Sequence, residues 1–439
     1  VSARAPAPWI ARCALVLAAV GGCTGTTGTV KLELATAPGS SVLDAVQTLR
    51  LTITDPRRVI EAARTPAGFD LALELDATGG AGALIVEGFD AAGALVACGQ
   101  SPPFPVAAIN AHIVVYVAAP LSVALAPIGL GAPRSEVAGA ALSYGAVLAG
   151  GRDDAGAAST AIAIYNAYDH TLLDGAPLPA ARTGVGLAAG NNGIVYLFGG
   201  AGPDGSPTGT LWRFDTNAAP RGGFTTLTER AELARAGQLM ITLVPERYLV
   251  TGAPPLELRL GALTTRDDIA MLPATGAATI ASDGTPAAIF DGAPLVRFHQ
   301  DAFDTLAQGG PGDAAAATLP DGRIVVLGGA PPSRDALVID ASTGQVTVIP
   351  DALSTARSRP ALAATARYVV VAGGTDASGA TVATAEVLDA TTLAPSAAPR
   401  PIVARTGAFA VALPNGQVLL AGGTPASAEL ELFTPDPPP

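Results

Sequence analysis

Lysine is almost absent from this chain: Lys31 stands alone among 25 basic residues. Cysteine, histidine and methionine number only three, three and two in 439 residues, and aromatics make up 5%. Each shortage excludes something. So few nitrogen and sulfur donors, with no pair at ligand spacing, leave a transition-metal site unsupported. A formal net charge of −12 without a basic run offers no face for a phosphate backbone, which argues against nucleic acid as a partner. No internal stretch reaches the roughly 20 apolar residues that a spanning helix needs. What fills the chain instead is alanine, with 51 Gly and 37 Pro. Glycine and proline interrupt long helices, so the composition fits many short strands joined by turns, an all-β fold.

The amino terminus reads as an export signal. Arg4 and Arg12 supply positive charge, and Ala14–Val20 is a short apolar core. Gly21-Gly22-Cys23 follows and resembles a bacterial lipobox, in which the cysteine is lipidated and becomes the first mature residue. This reading makes 1–22 a signal peptide, Cys23 a lipidation site and 23–28 a linker. Thr24, rather than Asp, at the second mature position suggests the outer membrane. Cys13 would leave with the signal. Cys98 then stands alone, without an intramolecular disulfide partner. It ends an apolar run and reads as a small buried hydrophobe.

Residues 29–118 read as a separate small β-sandwich. Residues 30–34, 49–54 and 69–75 alternate apolar and polar, as strands with one buried face do. Residues 84–90 and 112–117 add further strands. The class resembles immunoglobulin-like or transthyretin-like modules.

A repeat follows. Val147-Leu148-Ala149-Gly150-Gly151 recurs as Val195–Gly200, Val325–Gly329, Val370–Gly374 and Leu419–Gly423. Degenerate copies occur at Thr251-Gly252 and Asp291-Gly292. The mean spacing is about 45 residues, the length of a four-stranded propeller blade. Each unit opens with a small-residue strand and a tight turn such as Asn192-Gly193, Asp321-Gly322 or Asn415-Gly416, whose residues accept positive φ. The Gly-Gly strand follows, then a third strand that often ends in Asp, as at Asp215, Asp340 and Asp389.

This order resembles the kelch repeat. The resemblance covers some 310 residues and departs from the family where the usual fourth-strand tryptophan is missing, since Trp212 sits on a third strand. It implies a seven-bladed kelch-type β-propeller over 119–434, with a tail at 435–439. Six blades are the alternative, because units three and four are degenerate. The last unit lacks a fourth strand, and 121–126 resembles the orphan that would complete it. Pairing of the two would latch the ring and leave no raw sheet edge.

Catalytic sets are not legible. Kelch propellers resembling galactose oxidase need two tyrosines, two histidines and a tyrosine-linked cysteine around copper. Here His112 lies before the repeat, His170 and His299 fall in different units, and Cys98 lies outside the ring. No Gly-x-Ser-x-Gly and no phosphate loop occurs. Asp153-Asp154 and Asp267-Asp268 are acidic loop pairs, too few oxygens for calcium by themselves. No cofactor and no metal is expected.

One constellation recurs. Arg134, Arg182, Arg235, Arg357 and Arg405 precede their doublets by 16 or 17 residues. Equal spacing places them at one level of the ring, near one mouth of its channel. Kelch proteins that bind acidic peptides use arginines at such a position, because the planar guanidinium suits carboxylates. The same arginines can instead bond backbone carbonyls and hold blades together. The sequence therefore leads to a non-enzymatic envelope lipoprotein whose propeller binds a protein segment or an anionic glycan. The alternative is a carbohydrate-active enzyme similar to kelch sugar isomerases or mutarotases, with Glu136, Asp313 and Glu246 as candidate carboxylates beside the arginines.

Overall fold

A computed structural model describes residues 30–66, 68–69, 81–105, 111–237, 240–244, 246–267, 276–280, 286–290, 295–299, 302–307, 311–340 and 342–438. The signal segment, Cys23 and the linker lie outside the described residues, as do 70–75 and the degenerate doublet at Asp291-Gly292. The described chain is all-β; its one helical element is the short 3-10 turn Ala231–Leu233.

The first part carries a five-stranded antiparallel sheet containing Thr48–Thr54, Arg57–Thr65, Leu84–Phe89 and Leu95–Gln100. Beside it lies the parallel pair Val30–Ala35 and Ala111–Tyr116. Leu49, Leu51 and Ile53 meet Leu32, Leu34, Ile113 and Val115 in one core, so alternation along these strands supplies facing apolar surfaces. Arg57–Thr65 is a strand with hardly a buried residue. It carries three arginines and a glutamate and has no apolar stripe to announce it.

Among the described residues, seven four-stranded antiparallel sheets follow. Their first strands are Ala138–Leu142, Gly186–Ala189, Met240–Val244, Gly276–Ile280, Gly312–Thr318, Ala361–Ala364 and Phe409–Ala412. Each of these strands lies against the next sheet in chain order, and that of the seventh lies against that of the first. Second strands such as Gly145–Ala149 and Tyr368–Ala372 are buried along their whole length. The reason is packing on both faces. Val147 and Ala149 share a core with Val195 and Leu197 of the second sheet. Ala146 and Leu148 share one with Leu419 and Ala421 of the seventh. A strand covered on both faces reads as a continuous apolar run, which is the repeat's most visible signal. Fourth strands such as Thr171–Asp174 and Val346–Ile349 are largely exposed.

The seventh sheet is assembled from both ends of the repeat. Ser122–Leu125 pairs antiparallel with Glu431–Thr434, Val123 opposite Phe433 and Ala124 opposite Leu432.

Antiparallel order sends the inter-unit linkers and the loops after the second strands to one end of the sheets, and the hairpin turns to the other. The hairpin end meets the first β part. Val114 N–H donates to the Tyr168 carbonyl at 3.0 Å, and the Tyr168 hydroxyl donates to the Pro103 carbonyl at 2.9 Å. The C-terminal segment lies there too: Cys98 Sγ donates to the Pro435 carbonyl at 3.2 Å, and Arg367 holds Asp436 and the Pro437 carbonyl.

Candidate functional site

The five recurrent arginines stand at the end opposite the hairpins. Their guanidinium groups are buried, with 0–8% of each residue exposed. Arg134 Nη1 donates to the Gly150 and Ala161 carbonyls, both at 3.0 Å. Arg235 donates to the Thr251 and Pro254 carbonyls. Arg357 Nη1 reaches the Gly373 carbonyl at 2.9 Å and that of Thr384 at 3.0 Å, and Nη2 pairs with Glu386. Arg405 Nη1 reaches the Gly422 carbonyl at 3.1 Å, and Nη2 pairs with Glu431 at 2.9 Å. Arg182 differs: its Nη1 donates to the Ala181 carbonyl, its guanidinium carbon lies 4.9 Å from the Trp212 ring centroid, and its Nε has no partner.

Strand register explains the difference. Glu386, Glu431 and Trp212 each sit opposite the residue two places before their unit's first glycine, namely Val371, Leu420 and Leu197. The sixth and seventh units fill that place with a carboxylate that pairs with the arginine, while the third fills it with Glu257, opposite Leu249, which pairs with Arg247 and Arg266 instead. The second fills it with an indole, whose π face takes the cation instead. In the first unit the place holds Ala163. Burial lowers the pKa of all five arginines.

The same residues explain the Gly-Gly doublet. In four units the N–H of the second glycine donates to the carbonyl of the following unit's arginine: Gly151 to Arg182 at 3.0 Å, Gly200 to Arg235 at 2.7 Å, Gly329 to Arg357 at 3.1 Å and Gly374 to Arg405 at 2.8 Å; after the seventh unit the Arg134 carbonyl accepts from Ser427 N–H at 3.2 Å instead. At Gly150, φ is 59°, and an added Cβ would lie 2.6 Å from the Arg182 carbonyl oxygen. Positive φ and lack of space thus both demand glycine there. Arg235, Arg357 and Arg405 each grip their own unit's doublet through the side chain and the preceding unit's doublet through the carbonyl, whereas Arg134 makes only the first grip and Arg182 only the second. At the degenerate copy Thr251-Gly252 the grip persists, since only the Thr251 carbonyl is needed and Gly252 keeps φ at 105°.

Two residues past each arginine the backbone turns left-handed. Glu136, Gly184, Gly237, Arg359 and Gly407 have φ of 51°, 58°, 76°, 49° and 60°, and Asp313 of the fifth unit has 55°. Hydrogen bonds link neighbours along this rim: Gly237 N–H to the Gly184 carbonyl, Arg359 N–H to that of Asp313 and Gly407 N–H to that of Arg359. Three units spend glycine on this conformation. Glu136, Asp313 and Arg359 adopt it at a cost of roughly 1–2 kcal/mol each. Arg359 was not legible as a site residue beforehand. The signal was the pairing of Gly184, Gly237 and Gly407 with their arginines at a fixed offset of two.

Among the candidate carboxylates, Glu136 pairs with Arg152 at 3.0 Å. Asp313 lies on the same rim, while Glu246 is at the hairpin end, accepting from Asn191 N–H and the Tyr196 hydroxyl. The structure therefore does not gather these three with the arginines. Between the two ends runs a cavity of about 550 Å³ lined by the first strands, including Ala141, Ile241, Ala316, Ala363 and Ala410. A second of about 510 Å³ continues it toward the hairpins, sharing Thr318, Ala364 and Ala412. Among the described residues, no charged, histidine or cysteine side chain lines either.

His170 is buried in the first sheet's last hairpin. Its Nδ1 lies 2.6 Å from the Tyr165 hydroxyl, its Nε2 has no partner, and burial pushes its pKa down to about 3. Cys98 is buried, and desolvation first, then nearby carboxylates, push its thiol up to about 12, which keeps it protonated and inert. The side chains of His112 and His299 lie outside the described residues. No protein-family model matches the sequence, and no curated protein matches it.

Proposed function

We propose that the seven sheets are blades of a closed kelch-type β-propeller and that the protein is a non-enzymatic, lipid-anchored binding scaffold of the cell envelope. Support for the ring comes from the cyclic order of first strands, the core shared by the seventh and first sheets, and the pairing of Ser122–Leu125 with Glu431–Thr434. In this reading the arginines and doublets form the joints between blades, and Cys23 carries the lipid.

The observation that carries the binding role is the asymmetry of the two ends. The hairpin end holds the small β part and the C-terminal segment. Loops at the arginine end, among them those around Asp154 and Ala377, are exposed. Exposed loops on a rigid scaffold are where recognition concentrates. Among the described residues the cavity lining carries no charge; this supports binding over sugar chemistry, which needs carboxylates within reach of the reacting atoms.

Two measurements test the proposal. Mass spectrometry of the mature amino terminus is expected to find diacylglyceryl on Cys23; an unmodified cysteine ends the anchoring claim. Capture of a defined envelope protein or anionic glycan is expected to be lost in Asp154→Arg with Ala377→Arg, at unchanged melting temperature. Undiminished capture would remove the arginine-end face from the proposal.

A further inference from the structure

Arg359 sits on the rim with an exposed side chain. Its guanidinium lies over Gly407, where an added Cβ would come within 3.1 Å of Nη2. Among the described residues it has no carboxylate or carbonyl partner, unlike the five buried arginines. Glu136 on the same rim is engaged by Arg152, and Asp313 is engaged as well. A left-handed position that three units fill with glycine thus holds an uncommitted cation.

Three residues beyond Arg359, Leu362–Ala364 line the apolar cavity. At about 3.3 Å per residue, the rim stands roughly 10 Å above that lining. The cavity's volume of about 550 Å³ is in the range of small-molecule sites. Among the described residues alanines dominate its wall, and Thr242 and Thr318 supply the polar side chains. A sugar would leave most of its hydroxyls unpaired there, which is costly. An aliphatic chain would not, and its head group would emerge at the rim beside Arg359.

We propose that this shaft binds an unbranched aliphatic carboxylate, with the chain among the first strands and the carboxylate on Arg359. The planar guanidinium fork matches a carboxylate with two parallel hydrogen bonds. The inference rests on the closed-ring reading, because an open array would not enclose the shaft.

Isothermal titration of the mature chain with hexanoate, octanoate and decanoate below micellar concentration tests it. Affinity is expected to rise about three- to fourfold per methylene, from the hydrophobic transfer of each CH₂. 1-Decanol is expected to bind at least tenfold more weakly than decanoate. Arg359→Gly is expected to abolish that difference without lowering the melting temperature, since glycine suits φ 49°. Absence of decanoate binding, affinity independent of chain length, or undiminished decanoate binding by Arg359→Gly would overturn the assignment. Amide exchange of Ser122–Leu125 in the same sample separates the two claims. With that strand protected, a binding failure removes the ligand alone; with it unprotected, the ring falls too.

Discussion

Arg405 and Glu431 form an ion pair at 2.9 Å in which the side chains are 1% and 4% exposed. Arg357 and Glu386 repeat it one sheet earlier, at the same register position. Burial raises the pKa of Glu431 despite the pull of Arg405, so desolvation outweighs the attraction there. Such a pair adds little net stability, yet breaking it is costly because one charge stays buried.

Arg405→Ala is therefore expected to lower stability by about 3–5 kcal/mol. It also strips the Gly422 carbonyl of its donor. Urea denaturation is the measurement. Arg405→Met combined with Glu431→Leu is expected to be less destabilising than the single change. The sign of the pH effect follows from the raised acid pKa, since the folded form holds the proton more tightly than the unfolded one. Stability of Arg405→Ala should then recover as pH falls through the Glu431 pKa. A double variant worse than the single one would contradict this account of the joint.

Where the next unit's arginine carbonyl packs on the doublet, glycine is required for two reasons, elsewhere for one. Gly373 has φ 64° and faces the Arg405 carbonyl, whereas Gly205 has φ 79° with open space around it. Gly205→Ala is expected to cost about 1 kcal/mol, the backbone term alone. Gly373→Ala should cost clearly more, because the carbonyl that accepts from Gly374 must move. Paired melting curves read the difference; equal losses would deny the doublet its role between units.

Acid should weaken the fold through His170. Its pKa falls from 6.5 unfolded to about 3 folded because burial disfavours the imidazolium. The neutral ring is thus the folded form, and the unfolded chain takes up the extra proton. The stabilisation is complete above pH 6.5 and is lost as pH falls toward 3, by on the order of 5 kcal/mol at the acid limit. His170→Asn, which tolerates the left-handed φ of 52°, is expected to flatten the dependence of melting temperature on pH in that window. An unchanged slope would place the acid sensitivity elsewhere.

The strands and their order were legible because most of the described second strands are buried on both faces and end in the doublet. The exposed strand Arg57–Thr65 was not, since strand pairing holds it without an apolar stripe. The arginine spacing was legible, but not what the side chains face. That depends on the residue across the sheet, Glu386, Glu431 or Trp212, which sequence spacing alone does not align. Arg359 was hidden for a related reason: its importance lies in a backbone angle and in lacking a partner, neither of which is a residue type.

The closed ring is the central claim, and amide hydrogen exchange at its seam tests it most directly. In a closed ring, Ala124 and Leu432 pair across the join of the chain's two ends. Their amides are then expected to be protected as strongly as those of Tyr368–Ala372, which lie inside a sheet built from contiguous sequence. Exchange at unprotected rates for Ser122–Leu125, with Tyr368–Ala372 still protected, would contradict closure.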